Sequence, residues 1–348
     1  DVGRPDLLGD KERAELAHQL YESVFNRLAP LPDFTEIFPS HGAGSLCGKA
    51  IGSRRSSSLG FERKFNVSMR VKPEAEWAQN LLKGMPLAPP YFKRMKRINK
   101  EGPAILGANL PGNKPIPVRE LSAACGVADQ ATRIAASATP PFDGAQGMQA
   151  AKAPIILDAR PKEAFASAHI PGSISIPIGP QLANWAGWVL PDDQPIVLVV
   201  ADKEDLREAI TQLIRVGFDR IDGYLEGGID AWQNAGFPIA HLATISVHEL
   251  DAKLKSSSPP ALLDIRTDGE WESGHIESAK HIQAGLVAQH LGDLPRDREL
   301  TIICGSGYRS SIVGSILLRA GMKNVTSLLG GMGAYQTAGL LKPKPVPA

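Results

Sequence analysis

The distribution of hydrophobic positions along the chain predicts buried strands that alternate with amphipathic helices. Two apolar runs without polar alternation, IVLVV at 196–200 and LTIIC at 300–304, are typical of strands buried on both faces of a parallel sheet. The segment SSIVGSILLRAGM at 310–322 carries apolar residues at helical spacing, and its helix is expected to stop at Gly321. The pattern therefore predicts an α/β fold for this part of the chain.

An internal repeat organises the same region. PIILDARPKEAFASAHIPGSISIPI, from Pro154, aligns with ALLDIRTDGEWESGHIESAKHIQA, from Ala261. Each copy is expected to run strand, helix, strand, helix, strand, helix. In each copy an Asp-x-Arg motif ends the first strand, with a histidine eleven residues after the aspartate: Asp158, Arg160 and His169, then Asp264, Arg266 and His275. The repeat predicts tandem α/β domains at 116–241 and 242–348, after a separate unit at 1–115. Residues 126–152, found only in the first copy, are expected to form a mobile loop.

Composition and charge exclude several classes of function. The 348 residues are 43% hydrophobic and 22% charged, and a formal net charge of +1 gives no reason to expect a nucleic-acid partner. No apolar run has the roughly 18 residues needed to span a bilayer, so no membrane partner is expected. The three cysteines, Cys47, Cys125 and Cys304, are too few and too scattered for a disulfide scaffold, which favours a cytoplasmic location. A homo-oligomer is left open.

The segment CGSGYRS, at 304–310, carries the clearest chemistry in the sequence. It joins a buried strand to an amphipathic helix, and free backbone N–H groups at a helix N-terminus stabilise a thiolate and a persulfide. Glycines let several N–H groups face one centre, and an arginine adds positive charge. Cys304 and Arg309 are therefore the predicted catalytic residues. The predicted substrate-binding residues lie in the same loop: Gly305, Ser306, Gly307, Tyr308 and Ser310.

These motifs resemble those of the rhodanese family. The Asp-x-Arg, the Gly-His-Ile at 274–276, the Cys loop and Gly-Gly-x-x-Ala-Tyr at 330–335 fall in the family's order. The resemblance implies an active sulfurtransferase domain in which the Cys304 thiolate takes up a sulfane sulfur and a second thiophile removes it. It implies small-molecule donors and acceptors: thiosulfate, glutathione or other thiol persulfides, and sulfite. It also implies that Asp264, Arg266 and His275 serve the scaffold.

Two alternatives for the Cys loop remain open. Phosphatases and arsenate reductases also use a loop cysteine, but Cys304 to Arg309 is C-x4-R, one residue shorter than the C-x5-R of the phosphatases. The smaller loop favours a single sulfur over a phosphoryl group. The other alternative is a non-enzymatic interaction module, which the intact loop argues against.

The first copy resembles an inactive rhodanese homology domain. Ala201 and Asp202 are aligned with the nucleophile, the loop glycines are absent, and Glu204 and Asp205 would repel sulfur anions. This copy is expected to serve as a spacer or a docking surface.

The N-terminal segment is similar to the C-terminal part of a metallo-β-lactamase (αββα) fold. D-x-G-R at 1–4, a helical stretch and FPSHG at 38–42 carry the resemblance. It implies that Asp1 and His41 are metal ligands. SHGAGSLCG, GFERKFN and PYFKRMKRIN look like the persulfide dioxygenase-like branch that is fused to rhodanese domains. That branch uses one Fe(II) held by two histidines and one carboxylate, and Cys47 would carry a persulfide near it.

The remaining ligands of that fold lie upstream of the motifs seen here, and a divalent site needs at least three protein ligands. The chain is therefore expected to be a fragment that binds no metal stably. The intact parent would oxidise low-molecular-weight persulfides to sulfite with Fe(II), and Zn is the alternative metal. The alternative function is a thioester hydrolase of the glyoxalase II type, with the rhodanese domains as binding or regulatory modules.

Overall fold

A computed structural model describes residues 2–8, 10–42, 51–70, 73–83, 85, 87–107, 110–127 and 153–341. By its internal contacts the chain divides into two units, Asp1–Pro89 and Pro90–Ala348. The division falls earlier than the predicted limit at residue 115. Most of the predicted insertion, at 128–152, lies outside the described residues.

The first unit contains short helices around an aromatic cluster. Trp77 is buried and meets Tyr21 and Phe25 edge-on, with ring centroids 5.5 and 5.8 Å away. Its indole N–H donates to the backbone carbonyl of Ser68 at 2.7 Å. The helices and the short antiparallel strands are α1 (Asp10–Glu22), β1 (Glu36–Ile37), β2 (Ser57–Ser58), α2 (Leu59–Phe65) and α3 (Glu74–Leu82).

The second unit begins with helix α4 (Phe92–Glu101) and contains both copies of the repeat. The first copy forms a parallel five-stranded sheet with the order β3-β7-β6-β4-β5. Its strands are β3 (Pro115–Ile116), β4 (Ile155–Asp158), β5 (Ile174–Ser175), β6 (Ile196–Val199) and β7 (Ile221–Leu225). Its helices are α5 (Val118–Ala124), α6 (Lys162–Ser167), α7 (Leu182–Val189), α8 (Lys203–Arg215) and α9 (Gly228–Asn234).

The second copy repeats this topology in a parallel sheet with the order β8-β12-β11-β9-β10. Its strands are β8 (Ala243–Ile245), β9 (Ala261–Asp264), β10 (Ala279–His281), β11 (Leu300–Ile303) and β12 (Val325–Leu328). Its helices are α10 (Val247–Leu254), α11 (Asp268–Ser273), α12 (Tyr308–Arg319) and α13 (Gly331–Thr337). The prediction of two tandem α/β domains with parallel sheets is confirmed.

Each sheet has two more strands than the sequence predicted. The additional strands are the edge strands, which are only two or three residues long: β3 and β5 in the first copy, β8 and β10 in the second. Runs this short carry no recognisable hydrophobic period.

The central strand β11 is buried on both faces, as its apolar sequence predicted. Ile302 packs with Leu263 and Val313 on one face, and Ile303 packs with Leu328 on the other. Burial on both faces fixes the end of β11, and with it the position of the residue that follows.

The two copies share buried contacts within the second unit. Ile312 of α12 joins the core of the first copy, and Phe165 of α6 joins the core of the second. The hydroxyl groups of Ser175 and Ser311 are 2.6 Å apart, and the Ser175 N–H donates to Ser315 Oγ at 3.0 Å. Helix α12 is therefore held by both copies. None of the helices in the described ranges has the length and apolar character that crossing a bilayer requires.

Candidate active site

The residue directly after β11 is Cys304, which places its thiol at the carboxyl edge of the sheet, where open α/β folds bind ligands. The side chain is only 1% exposed, and the Gly307 N–H donates to its sulfur at 3.0 Å. Gly307 is the N-cap of α12 and has a φ of +96°, a region that favours glycine. No side chain caps this helix, and the backbone N–H of its cap residue donates to the Cys304 sulfur.

A Gly-Gly turn at the start of α13 supports the loop from below. The Met332 N–H donates to the Cys304 carbonyl at 2.7 Å, and the Gly333 N–H donates to the Gly305 carbonyl at 3.0 Å. Gly331 has a φ of +58°, and a Cβ atom there would lie 2.3 Å from the Cys304 carbonyl oxygen. Only glycine permits this approach, which explains why the second copy needs the Gly-Gly pair.

Arg309 lies beside the loop, but its charge is paired. Its guanidinium donates to both carboxylate oxygens of Glu270, at 2.7 and 2.6 Å. Burial raises the pKa of Glu270, but the hydrogen bonds from Arg309 and Thr267 outweigh it and lower that pKa to about 2. The guanidinium also lies close to Gly305, where a Cβ would be 3.0 Å from Nη2. The positive charge that the sequence predicted at Arg309 is therefore paired with a carboxylate.

Glu270 is the site residue that the sequence reasoning missed. It is 39 positions before Arg309, so no local spacing links the two. The available signal is the T-x-x-E pattern at 267–270, which forms a capping box at the start of α11. That box fixes the Glu270 carboxylate, which accepts from the Thr267 N–H at 2.9 Å.

The other predicted loop residues have different surroundings. The Tyr308 hydroxyl donates to the carbonyl of Pro177, in the first copy, at 3.0 Å, and burial raises the pKa of Tyr308 to about 12. Its side chain thus contributes to the contact between the copies. Ser306 is exposed at the rim of the loop. Ser310 is fully buried, and its hydroxyl has no hydrogen-bond partner within the described part of the protein.

The Asp-x-Arg and His motifs make scaffold contacts. Arg266 donates to both oxygens of Asp264, and its Nη2 also donates to the Gly274 carbonyl at 2.7 Å. His275 stacks on Trp271 with ring centroids 3.5 Å apart. The first copy repeats both arrangements: Arg160 pairs with Asp158, and His169 stacks on Phe165.

The first copy ends its central strand in another way. In the sheet register Val199 pairs with Asp158, as Ile303 pairs with Asp264, so the residue equivalent to Cys304 is Val200. The strand register therefore shows that the predicted alignment of Ala201 and Asp202 with the nucleophile is wrong. The connection to the helix N-cap is also shorter, 200–201 against 304–306.

The predicted metal ligands are not brought together among the described residues. Asp1 and Cys47 lie outside the described ranges, and His41 is exposed, with its Nδ1 3.0 Å from Ser40 Oγ. Within the described ranges no three His, Cys, Asp or Glu side chains are grouped so that they could hold a metal ion. The described residues alone do not form an iron or zinc site.

Comparison with known proteins identifies the repeated region. The rhodanese-like domain family matches residues 143–235 and 246–338. A sulfurtransferase of Allochromatium vinosum is 32% identical over 96 residues, which is 28% of this chain and 90% of that protein. YtwF of Bacillus subtilis is 37% identical over 100 residues, which is 29% of this chain and 94% of that protein.

Longer proteins are matched only in part. The crystal structure of a metallo-beta-lactamase from Staphylococcus aureus is similar over 64% of this chain and 53% of its own, with 29% identity and a TM-score of 0.46. YrkF of Bacillus subtilis is 31% identical over 107 residues, 31% of this chain and 56% of that protein. The chain thus spans little more than half of either protein.

Proposed function

Because the chain belongs to the family of rhodanese-like domain proteins, we propose that its second copy is a sulfurtransferase with Cys304 as the nucleophile. The observation that carries the proposal is the Gly307 N–H donating to the Cys304 sulfur at 3.0 Å, in a loop that no side chain caps. A backbone N–H at a helix N-terminus favours the negatively charged sulfur over the thiol. The similarity to the Allochromatium vinosum sulfurtransferase supports the same activity.

The proposed reaction is a double displacement. The Cys304 thiolate attacks the outer, sulfane sulfur of thiosulfate. A new S–S bond forms, the S–S bond of thiosulfate breaks, and sulfite leaves with the electron pair. A thiophile such as cyanide or a thiolate then attacks the outer sulfur of the persulfide and releases the Cys304 thiolate. The Gly307 N–H is placed to stabilise the negative charge on the Cys304 sulfur before the first displacement and after the second.

The contacts around the loop hold this geometry. The backbone hydrogen bonds from Met332 and Gly333 fix the carbonyl groups of Cys304 and Gly305, so the loop cannot turn them toward the sulfur. A carbonyl dipole facing the thiolate would repel it. Glu270 holds the Arg309 side chain beside the loop. Together these contacts keep the Gly307 N–H directed at the Cys304 sulfur.

Thiocyanate formation from thiosulfate and cyanide tests the proposal. The Cys304→Ser variant should lose this activity by at least about a thousandfold, because removing a nucleophile disables both displacements. Cys125→Ser is the matched control; burial raises the pKa of the Cys125 thiol, and its loss should leave the rate unchanged. Full activity in the Cys304→Ser variant would rule out the assignment.

For residues 1–115 we propose a metallo-β-lactamase-like domain related to persulfide dioxygenases, which oxidise persulfides to sulfite. What supports it is the sequence pattern around His41 and the fusion to rhodanese domains. The chain, purified without oxygen, should contain no stoichiometric iron and show no O₂ uptake with glutathione persulfide. Iron binding with O₂ uptake would contradict the expectation, drawn from the described residues, that no metal site forms. Zinc binding with thioester hydrolysis would favour the glyoxalase II-type alternative.

A further inference from the structure

A lysine of the first copy lies against the catalytic loop of the second. Lys162 is the first residue of α6, and a Cβ atom at Gly307 would lie 3.3 Å from its Cε. Gly307 is the residue whose N–H donates to the Cys304 sulfur. The Lys162 ammonium, one bond beyond Cε, is thus next to the rim of the loop.

Buried contacts fix this approach. Phe165, on the same helix, is fully buried in the core of the second copy, and the Leu242 N–H donates to the Ala166 carbonyl at 3.0 Å. The loop side is held by the Tyr308 hydroxyl bound to the Pro177 carbonyl. The position of Lys162 relative to Gly307 therefore follows from packing, not from a flexible surface side chain alone.

An open cavity of about 380 Å³ lies at this edge of the loop, lined by residues of both copies. Its volume lies within the range of small-molecule sites, which is about 300–1,000 Å³. The lining combines the lysine and its neighbour Glu163 with apolar side chains and with small polar residues from both copies, among them Ser167, Thr244, Gly307 and Ser327.

The pairing of the charged side chains around the loop leaves the Lys162 ammonium more accessible to an anion than the Arg309 guanidinium. Arg309 is neutralised by its two hydrogen bonds to Glu270, so it offers little attraction to an incoming anion. Lys162 is paired with the adjacent Glu163, whose side chain is 68% exposed. An exposed pair of this kind is worth about 0–1 kcal/mol, so an anionic ligand can compete for the ammonium.

We propose that the cleft between the two copies binds the anionic group of the sulfur donor, with Lys162 of the degenerate copy as its counter-charge. This inference rests on the proposed sulfur transfer. The ligand class is an oxyanion joined to a sulfane sulfur: the sulfonate of thiosulfate or a carboxylate of a thiol persulfide such as that of glutathione. The degenerate copy then forms one wall of the active site and selects the donor.

The test compares Lys162→Met, Lys162→Arg and Lys114→Met in thiocyanate formation at saturating cyanide. Methionine keeps the apolar stem against Gly307 and removes only the charge. Lys114 is the matched control, because it directly precedes β3 of the first copy and pairs with a glutamate, Glu120, but does not line this cavity. Lys162→Met should raise the KM for thiosulfate about tenfold with little change in kcat. Lys162→Arg and Lys114→Met should stay close to wild type.

Running the same series with glutathione persulfide as donor distinguishes the two sources of the anion. A raised KM in Lys162→Met for either donor, with Lys114→Met unaffected, supports the site and shows which anion uses it. Unchanged KM values for both donors would overturn the inference, and so would equal increases in Lys162→Met and Lys114→Met.

Thiosulfate binding to the Cys304→Ser chain, measured by calorimetry, separates this inference from the proposed function. The affinity should fall about tenfold when Lys162→Met is added to that chain. If the wild type shows no turnover, the proposed sulfur transfer fails, while the calorimetric difference still decides the role of Lys162. An affinity that does not depend on Lys162 would exclude the site even in an active enzyme.

Discussion

The two copies have the same scaffold and differ at the end of one strand. Both have the same parallel strand order, a buried Asp-Arg pair and a stacked histidine. In the first copy the Asp202 carboxylate caps α8 and accepts from the Asp205 N–H at 2.9 Å. In the second, α12 has no side-chain cap, and the Gly307 N–H donates to the Cys304 sulfur. The fold thus accommodates both an ordinary capped helix and a sulfur site.

The Gly-Gly turns show the same contrast. A Cβ at Gly331 would lie 2.3 Å from the Cys304 carbonyl oxygen, whereas a Cβ at the equivalent Gly228 would lie 3.8 Å from the Val200 carbonyl oxygen. The turn therefore approaches the loop backbone closely only in the second copy. The two copies therefore differ in the three-residue connection at 304–306 and in its contact with the Gly-Gly turn, whereas their sheets are alike.

Placing a thiol in the first copy gives the largest expected effect. Val200→Cys in a Cys304→Ser background should stay at least about a thousandfold below wild type in thiocyanate formation. The thiol would occupy the equivalent position, but its connection is one residue shorter and Asp202 already caps the helix. Rescue to more than a few per cent of the wild-type rate would show that the loop is not what distinguishes the copies.

The Gly-Gly turns give the next largest effect. Gly331→Ala should destabilise the protein by roughly 3 kcal/mol, from left-handed strain and the clash with the Cys304 carbonyl, and should slow sulfur uptake. Gly228→Ala, with a φ of +61° and an ordinary contact distance of 3.8 Å to the Val200 carbonyl oxygen, should cost roughly 1–2 kcal/mol from strain alone. Denaturant unfolding measures both costs. Equal losses of unfolding free energy in the two variants would mean that the turn does not approach the Cys304 loop closely.

The smallest effect concerns the pairing of Arg309. A double-mutant cycle with Glu270→Gln and Arg309→Gln should give a coupling of about 1 kcal/mol in the free energy of unfolding, because the pair is bidentate but partly exposed. Gln at 270 can keep the capping box, so the cycle isolates the charge. With the Glu270 pKa at about 2, against an ordinary value of 4.5, the carboxylate is ionised in the folded and unfolded chains above about pH 4.5.

The coupling should therefore be constant at higher pH and decline as the pH falls from about 4.5 toward 2. This is the sign expected for a carboxylate whose pKa is lowered by folding: its stabilising contribution is present above the unfolded pKa and is lost through the folded one. A coupling near zero at neutral pH would contradict the pairing seen in the structure.

The sequence predicted the architecture well where a pattern was local. The apolar runs gave β6 and β11, the helical period gave most of α12, and the repeat gave two domains of one topology. The sequence did not predict contacts between residues that are far apart along the chain. Glu270 meets Arg309 from another helix, and Lys162 meets Gly307 from the other copy. The register error at Ala201 arose because a deletion inside a loop leaves no mark in a single sequence.

The mass of the Cys304 peptide after incubation with thiosulfate tests the central claim most directly. The chain is treated with thiosulfate, desalted, blocked with iodoacetamide and digested. We expect one additional sulfur atom on the Cys304 peptide and none on the peptides of Cys125 and Cys47, and no additional sulfur on any of them when cyanide is added before the iodoacetamide. A Cys304 peptide without extra sulfur, or the extra sulfur on another cysteine, would contradict it.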